Sequence, residues 1–106
     1  MELTITRSDT TLKLVGSIDL VSRQILVDAG REVLDGGDAI TLDLGGVEFI
    51  DSVGIGAIVE LSKASAALGR PFAVAEMSPR ARRVLEVTGL SEAWASPDRT
   101  AASADR

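Results

Sequence analysis

An acid and a hydroxyl stand side by side at Asp51 and Ser52, at the head of the run FIDSVGIGAIVEL (residues 49–61). Such a pair could form part of a nucleophilic site, cap a helix, or accept a modifying group. Nucleophilic catalysis fails on its requirements. A serine hydroxyl attacks only when a base takes its proton, and the chain contains no histidine. Lys63 lies three helical turns further on, out of reach. The elbow G-x-S-x-G is only half present, with Gly54 supplying the second glycine and Ile50 standing in place of the first.

A phosphate-binding loop is no better supported. Gly54 and Gly56 begin a dinucleotide fingerprint, but Val59 occupies the third glycine position and no glycine-lysine pair of a Walker loop occurs. Asp43, Glu48 and Asp51 suggest a magnesium site or the phosphoaccepting aspartate of a response-regulator receiver. A receiver needs an acidic pair after its first strand and a late lysine-proline, where this chain has Gly16-Ser17 and Arg70-Pro71. Asp43 is read instead as a solvated acid at a strand end. Capping does suit the pair, because serine before an apolar helix is a preferred cap and an acid favours the positive helix end. Ser52 is therefore expected to cap.

Composition sets the outer limits. The 106 residues suit one domain with one modest core, and 45% hydrophobic with 25% charged residues is the balance of a globular protein. No apolar run approaches the roughly 20 residues that cross a bilayer. Met1 is followed by an acid rather than by a basic and then an apolar stretch, so a cytoplasmic protein without a secretory signal is expected. With no cysteine and no histidine, disulfides, thiolate metal sites and a bound cofactor are not expected. A net charge of −5 opposes the phosphate attraction behind nucleic-acid affinity, so neither nucleic acid nor membrane is an expected partner.

The elements that position the pair follow from periodicity. Residues 2–19 alternate around Ser8, Asp9 and Thr10, with Leu3 and Ile5, then Leu12, Leu14 and Gly16, on one face, as in a hairpin. From Ser22 the period becomes helical through Ile25, Leu26, Ala29, Val33 and Leu34, stopping at Gly36-Gly37. AITLDL reads as a buried central strand and Gly45-Gly46 as the start of a loop. A second helix runs from Ser52 to Leu68, closed by Gly69. PFAVAEM is a fourth strand. Ser78 caps a third helix with Pro79 first inside it, lined by Ala81, Val84, Leu85 and Thr88 and stopped by Gly89. LSEAW packs Leu90 and Trp94 back on the body, so the domain spans 1–94 and the polar segment 95–106 is expected to be a disordered tail.

The expected fold is thus α/β: a four-stranded, mostly parallel mixed sheet with an N-terminal hairpin, covered by three to four helices. Chemistry in such folds gathers where strands end and helices start. In the second helix only Glu60 and Lys63 are charged, so part of its surface is expected to meet a partner. Gly54 and Gly56 each cost roughly 1 kcal/mol against alanine in a helix, which points to close access at that first turn or to packing on the sheet. Arg80, Arg82 and Arg83 on the third helix are read as a solvated face.

LVGSIDL, ITLDLGGVEFIDSVGIGAIVEL and SPRARRVLEVTGLSEAW, in that order, resemble a STAS domain, and within that family the single-domain anti-sigma factor antagonists of bacteria. The F-I-D-S-x-G-x-G core carries most of the likeness. The resemblance implies a binding protein, not an enzyme. Its partner is an anti-sigma factor that is itself a serine kinase and phosphorylates Ser52. Unmodified protein binds that kinase and frees the sigma factor, and a PP2C-type phosphatase reverses the modification. It implies a partner surface including Asp19, which matches the aspartate of the family's G-x-(I/L)-D, together with Asp51, Ser52, Val53, Gly54, Ile55 and Gly56. Asp19 is also placed to cap the first helix. Many antagonists carry a second hydroxyl after the phosphoacceptor, and here Val53 takes that position. A constitutive scaffold or a transporter-associated STAS subunit, with Ser52 only a cap, is the alternative.

Overall fold

The computed structural model describes residues 2–37 and 39–90. Strands β1 (Leu3–Ser8) and β2 (Thr11–Ile18) form the expected antiparallel hairpin, closing through the pair Ser8 and Thr11. The turn puts Asp9 at φ 59°, a left-handed conformation that aspartate tolerates better than most residues. Helix α1 (Arg23–Asp35), strand β3 (Ile40–Ile50), helix α2 (Ser52–Ala67), strand β4 (Phe72–Met77) and helix α3 (Pro79–Thr88) follow. The sheet order is β1-β2-β3-β4, with β2, β3 and β4 mutually parallel. The mixed four-stranded sheet is the one the sequence predicts, carrying three helices among the described residues.

Burial explains the pattern. Leu12, Leu14 and Ile18 of β2 and Ile40, Leu42 and Leu44 of β3 are fully buried, while Lys13 and Val15 are exposed and Thr41 and Asp43 half-buried between them, the alternation of strands that pack one face closely under helices. Right-handed crossovers between neighbouring parallel strands bring α1 and α2 to the same face of the sheet. There they pack closely: a β-carbon on Gly30 of α1 would come within 2.5 Å of the Leu61 side chain of α2.

That contact corrects the expected inner face of α1. Because α1 must meet both the sheet and α2, its buried residues are Leu26, Val27, Gly30, Val33 and Leu34, and Ile25 is turned out at 55% exposure. A second correction concerns Gly45-Gly46, which does not open a loop. β3 continues through it to Ile50 with register shifts against β2, so that Lys13 pairs with Asp43 and Val15 with Gly46. Asp43 supports the irregularity by accepting a hydrogen bond from the Gly45 amide at 2.9 Å. Gly46 leaves no room for a side chain, since a β-carbon there would lie 2.8 Å from Val15 Cγ2. The bulged strand reaches farther than a six-residue one and sets the start of α2.

α3 starts and stops as its sequence predicts. Ser78 caps it, Pro79 occupies the first turn, and Gly89 ends it at φ 79°, where a side chain would be strained. Its buried residues, Ala81 and Leu85, join the core. Leu90 packs half-buried against that core. Trp94 and the expected tail at 95–106 lie outside the described residues.

Candidate partner interface

β2 and β3 end side by side. Ile18 pairs with Ile50, and the Asp51 amide donates to the Ile18 carbonyl at 3.3 Å. Asp19 and Asp51 are therefore each one residue past a paired strand end, and the structure brings these two predicted residues together with Ser52.

The two aspartates have defined structural tasks. Asp19 Oδ1 accepts from the amides of Val21 at 3.0 Å and Ser22 at 3.1 Å, which folds the connection into α1. Ser22 Oγ completes the turn by donating to the Ser17 carbonyl at 2.8 Å. Asp51 is the N-cap of α2, with Oδ1 accepting from the Gly54 amide at 2.8 Å. Capping was expected of Ser52, and this is a correction. The carboxylate of Asp51 reaches the third amide of the helix, so the cap falls one residue earlier and Ser52 becomes the first helical residue. Its side chain is exposed and makes no hydrogen bond with any described residue.

The rest of the turn divides between inside and outside. Gly54 is buried, and a β-carbon there would stand 2.2 Å from the Ile18 carbonyl oxygen, so this glycine serves packing of the helix on β2. Gly56 is exposed, and a β-carbon there would meet nothing within 4 Å. Packing thus accounts for one glycine and not for the other. Val53 and Ile55 are half-buried.

The apolar surface beside the site is not where the sequence places it. α1 flanks α2, with Arg23 and Arg31 reaching Glu60 at 2.7 and 3.4 Å, so the weakly charged α2 is largely clothed. Leu68 is the one large apolar side chain that α2 and its cap expose. The exposed apolar bulk belongs instead to the connection and first turn of α1 and to the end of β3: Leu20 at 72%, Val21 at 86%, Ile25 and Phe49. Sequence reasoning misses these residues. Leu20-Val21 carried a signal, since two large apolar residues lie between a strand and a helix and fit neither periodicity.

Several likenesses bear on this geometry. A family profile described as "Mlab, STAS domain" matches residues 1–94. An anti-sigma factor antagonist from Mycobacterium paratuberculosis superposes with a TM-score of 0.73 at 23% identity, over 99% of this chain and 94% of that one. The anti-sigma factor antagonist SpoIIAA in its unphosphorylated form gives 0.69 at 19% identity, over 98% and 96%. The Bacillus cell fate determinant SpoIIAA in the phosphorylated form gives 0.64 at 18% identity, over 99% and 100%. At these identities the likeness to the solved structures is one of fold. No curated protein sequence matches the chain. With the profile covering the whole described body, and a mixed sheet and helix order shared with these structures, the chain belongs to the STAS domain family.

Proposed function

We propose that this protein is a cytoplasmic anti-sigma factor antagonist whose binding to an anti-sigma serine kinase is switched at Ser52, and that it is not an enzyme. Unmodified protein binds the kinase and releases the sigma factor. Phosphorylation of Ser52 blocks that binding, and a PP2C-type phosphatase restores it. The partner surface consists of Asp19, Asp51, Ser52, Val53, Ile55 and Gly56, extended by Leu20, Val21 and Phe49, with Gly54 holding the helix on the sheet beneath them.

One observation carries the reading: the Ser52 hydroxyl is exposed and unbonded while Asp51 holds the cap. A kinase can therefore take this hydroxyl without breaking any structural bond. Phosphorylation adds nearly two negative charges to the first turn of α2, where the helix dipole favours them by roughly 0.3–1 kcal/mol. The isolated fold tolerates the change. Inside a complex the same group sits next to the Asp51 cap on a surface that includes the exposed Leu20, Val21 and Phe49, and must shed its water. Leaving a buried charge unpaired costs on the order of several kcal/mol, and every 1.4 kcal/mol is about tenfold in affinity.

The alternative, a constitutive scaffold or transporter-associated subunit, gives Ser52 a capping role, and that role belongs to Asp51. The test is incubation with ATP and the serine kinases of the host, followed by mass spectrometry. One added phosphate on the peptide containing Ser52, absent from Ser52→Ala, is expected. Modification elsewhere, or none with any of those kinases, contradicts the proposal.

A further inference from the structure

α3 carries a second surface that the Ser52 switch does not use. Arg80, Arg82 and Arg83 are all exposed, and none of their guanidinium groups has an ion pair or hydrogen bond with any described residue. Other arginines differ. Arg7 donates to the Asp9 carbonyl, Arg23 and Arg31 to Glu60, and Arg70 to the Leu34 carbonyl. Glu86, the only acid on α3, is three residues from Arg83 and four from Arg82, within the spacing of a helical pair, yet it is not paired with either.

Folding gains nothing from this arrangement. The first turn of α3 contains no acid, and three cations crowd the end of the helix where the dipole is positive. Each opposes the dipole by a few tenths of a kcal/mol, and Arg80 and Arg83, three apart, repel each other as well. The cluster is thus a stability cost to the isolated molecule. Val87, four residues beyond Arg83, is 82% exposed and extends the same stripe. Arg80 helps line an open surface recess of ≈ 570 Å³ together with Val15, Gly46, Val47 and Pro79, and Glu48 lines it too.

We infer that this stripe is a docking surface for an acidic protein segment that carries an apolar side chain, separate from the Ser52 interface. Guanidinium groups bind carboxylates in a bidentate fork, and those of Arg80 and Arg83, on one stripe with Val87 and next to the recess that Arg80 lines, match carboxylates flanking one apolar residue. Arg82, two residues from Arg80, belongs to the other flank of the helix. A protein segment is favoured over a membrane or nucleic acid by range. An extended polyanion meets the field of the whole molecule, whose net charge is −5, whereas a short segment meets only the local basic stripe.

The inference is tested with a labelled glutamate-rich helical peptide bearing one leucine, its glutamine counterpart, and phosphatidylserine-containing vesicles. Four chains are compared: the original, Arg80→Glu/Arg83→Glu, Arg82→Ala and Ser52→Asp. The acidic peptide is expected to bind the original chain in low salt and to weaken as salt rises, with the double reversal at least about tenfold weaker and Arg82→Ala, on the other flank of the helix, close to the original. Glutamates in the first turn suit the helix dipole, so the double variant is expected to melt no lower than the original. Ser52→Asp is expected to bind the peptide unchanged, which keeps this result distinct from failure of the switch. No binding by the original chain, equal binding by the double variant or by the glutamine peptide, or preferential binding of the vesicles overturns the inference.

Discussion

Ser52 and Ser78 each follow a parallel strand and open a helix, yet their hydroxyls have opposite fates. Ser78 is buried, donates to the Val47 carbonyl at 2.5 Å and accepts from the Ala81 amide at 3.1 Å. Ser52 sits one position inside its helix, exposed, because Asp51 has taken the cap. The difference teaches that serine at a helix start is informative only once its hydrogen bonds are counted. One hydroxyl belongs to the fold and the other is available to chemistry.

The sharpest way to break the comparison acts on the glycines beside Ser52. Gly54→Ala forces a β-carbon against the Ile18 carbonyl and is expected to destabilise by about 3 kcal/mol in denaturant unfolding. Gly56→Ala meets open space and is expected to stabilise the isolated protein by up to about 1 kcal/mol, while weakening the proposed kinase complex. Equal effects of the two on stability would mean that the inner and outer sides of this turn have been misassigned.

Next in size are the serines themselves. Ser78→Ala removes the cap of α3 and leaves the Val47 carbonyl without its donor, an expected loss of about 2 kcal/mol. Ser52→Ala is expected to change stability by less than about 0.5 kcal/mol, as at an ordinary surface position. For a domain of this size the first should lower the melting temperature by roughly 8 to 16 °C and the second by no more than about 4 °C. A large loss from Ser52→Ala would return the hydroxyl to the fold.

Much of this was legible in the residues, for reasons that differ by element. The hairpin and α3 obey local rules, since alternation, a serine cap, a proline at the first turn and a terminal glycine each act within a few residues. Helix α2 was legible as a helix, but not the identity of its cap. Asp51 and Ser52 are both good caps, and only the reach of a carboxylate from the bulged end of β3 decides between them. The loop expected at Gly45-Gly46 failed because glycine pairs mark bulges as well as loops, and the packing of Val15 on Gly46 is non-local. The period of a single-stripe helix places Ile25 inward, but α1 faces both a sheet and a neighbouring helix, and Ile25 turns out to solvent. The apolar surface of Leu20, Val21 and Phe49 depends on how two strand ends align, which no linear pattern shows.

The most direct measurement is calorimetric titration of the proposed anti-sigma kinase with the chain phosphorylated at Ser52 and with the bare chain, beside the melting temperature of each. Affinity is expected to fall at least about tenfold on phosphorylation while the melting temperature stays within roughly 8 °C, the range that a change of about 1 kcal/mol allows. Equal affinities, or a modified chain that has lost its fold, would contradict a free hydroxyl that switches binding alone.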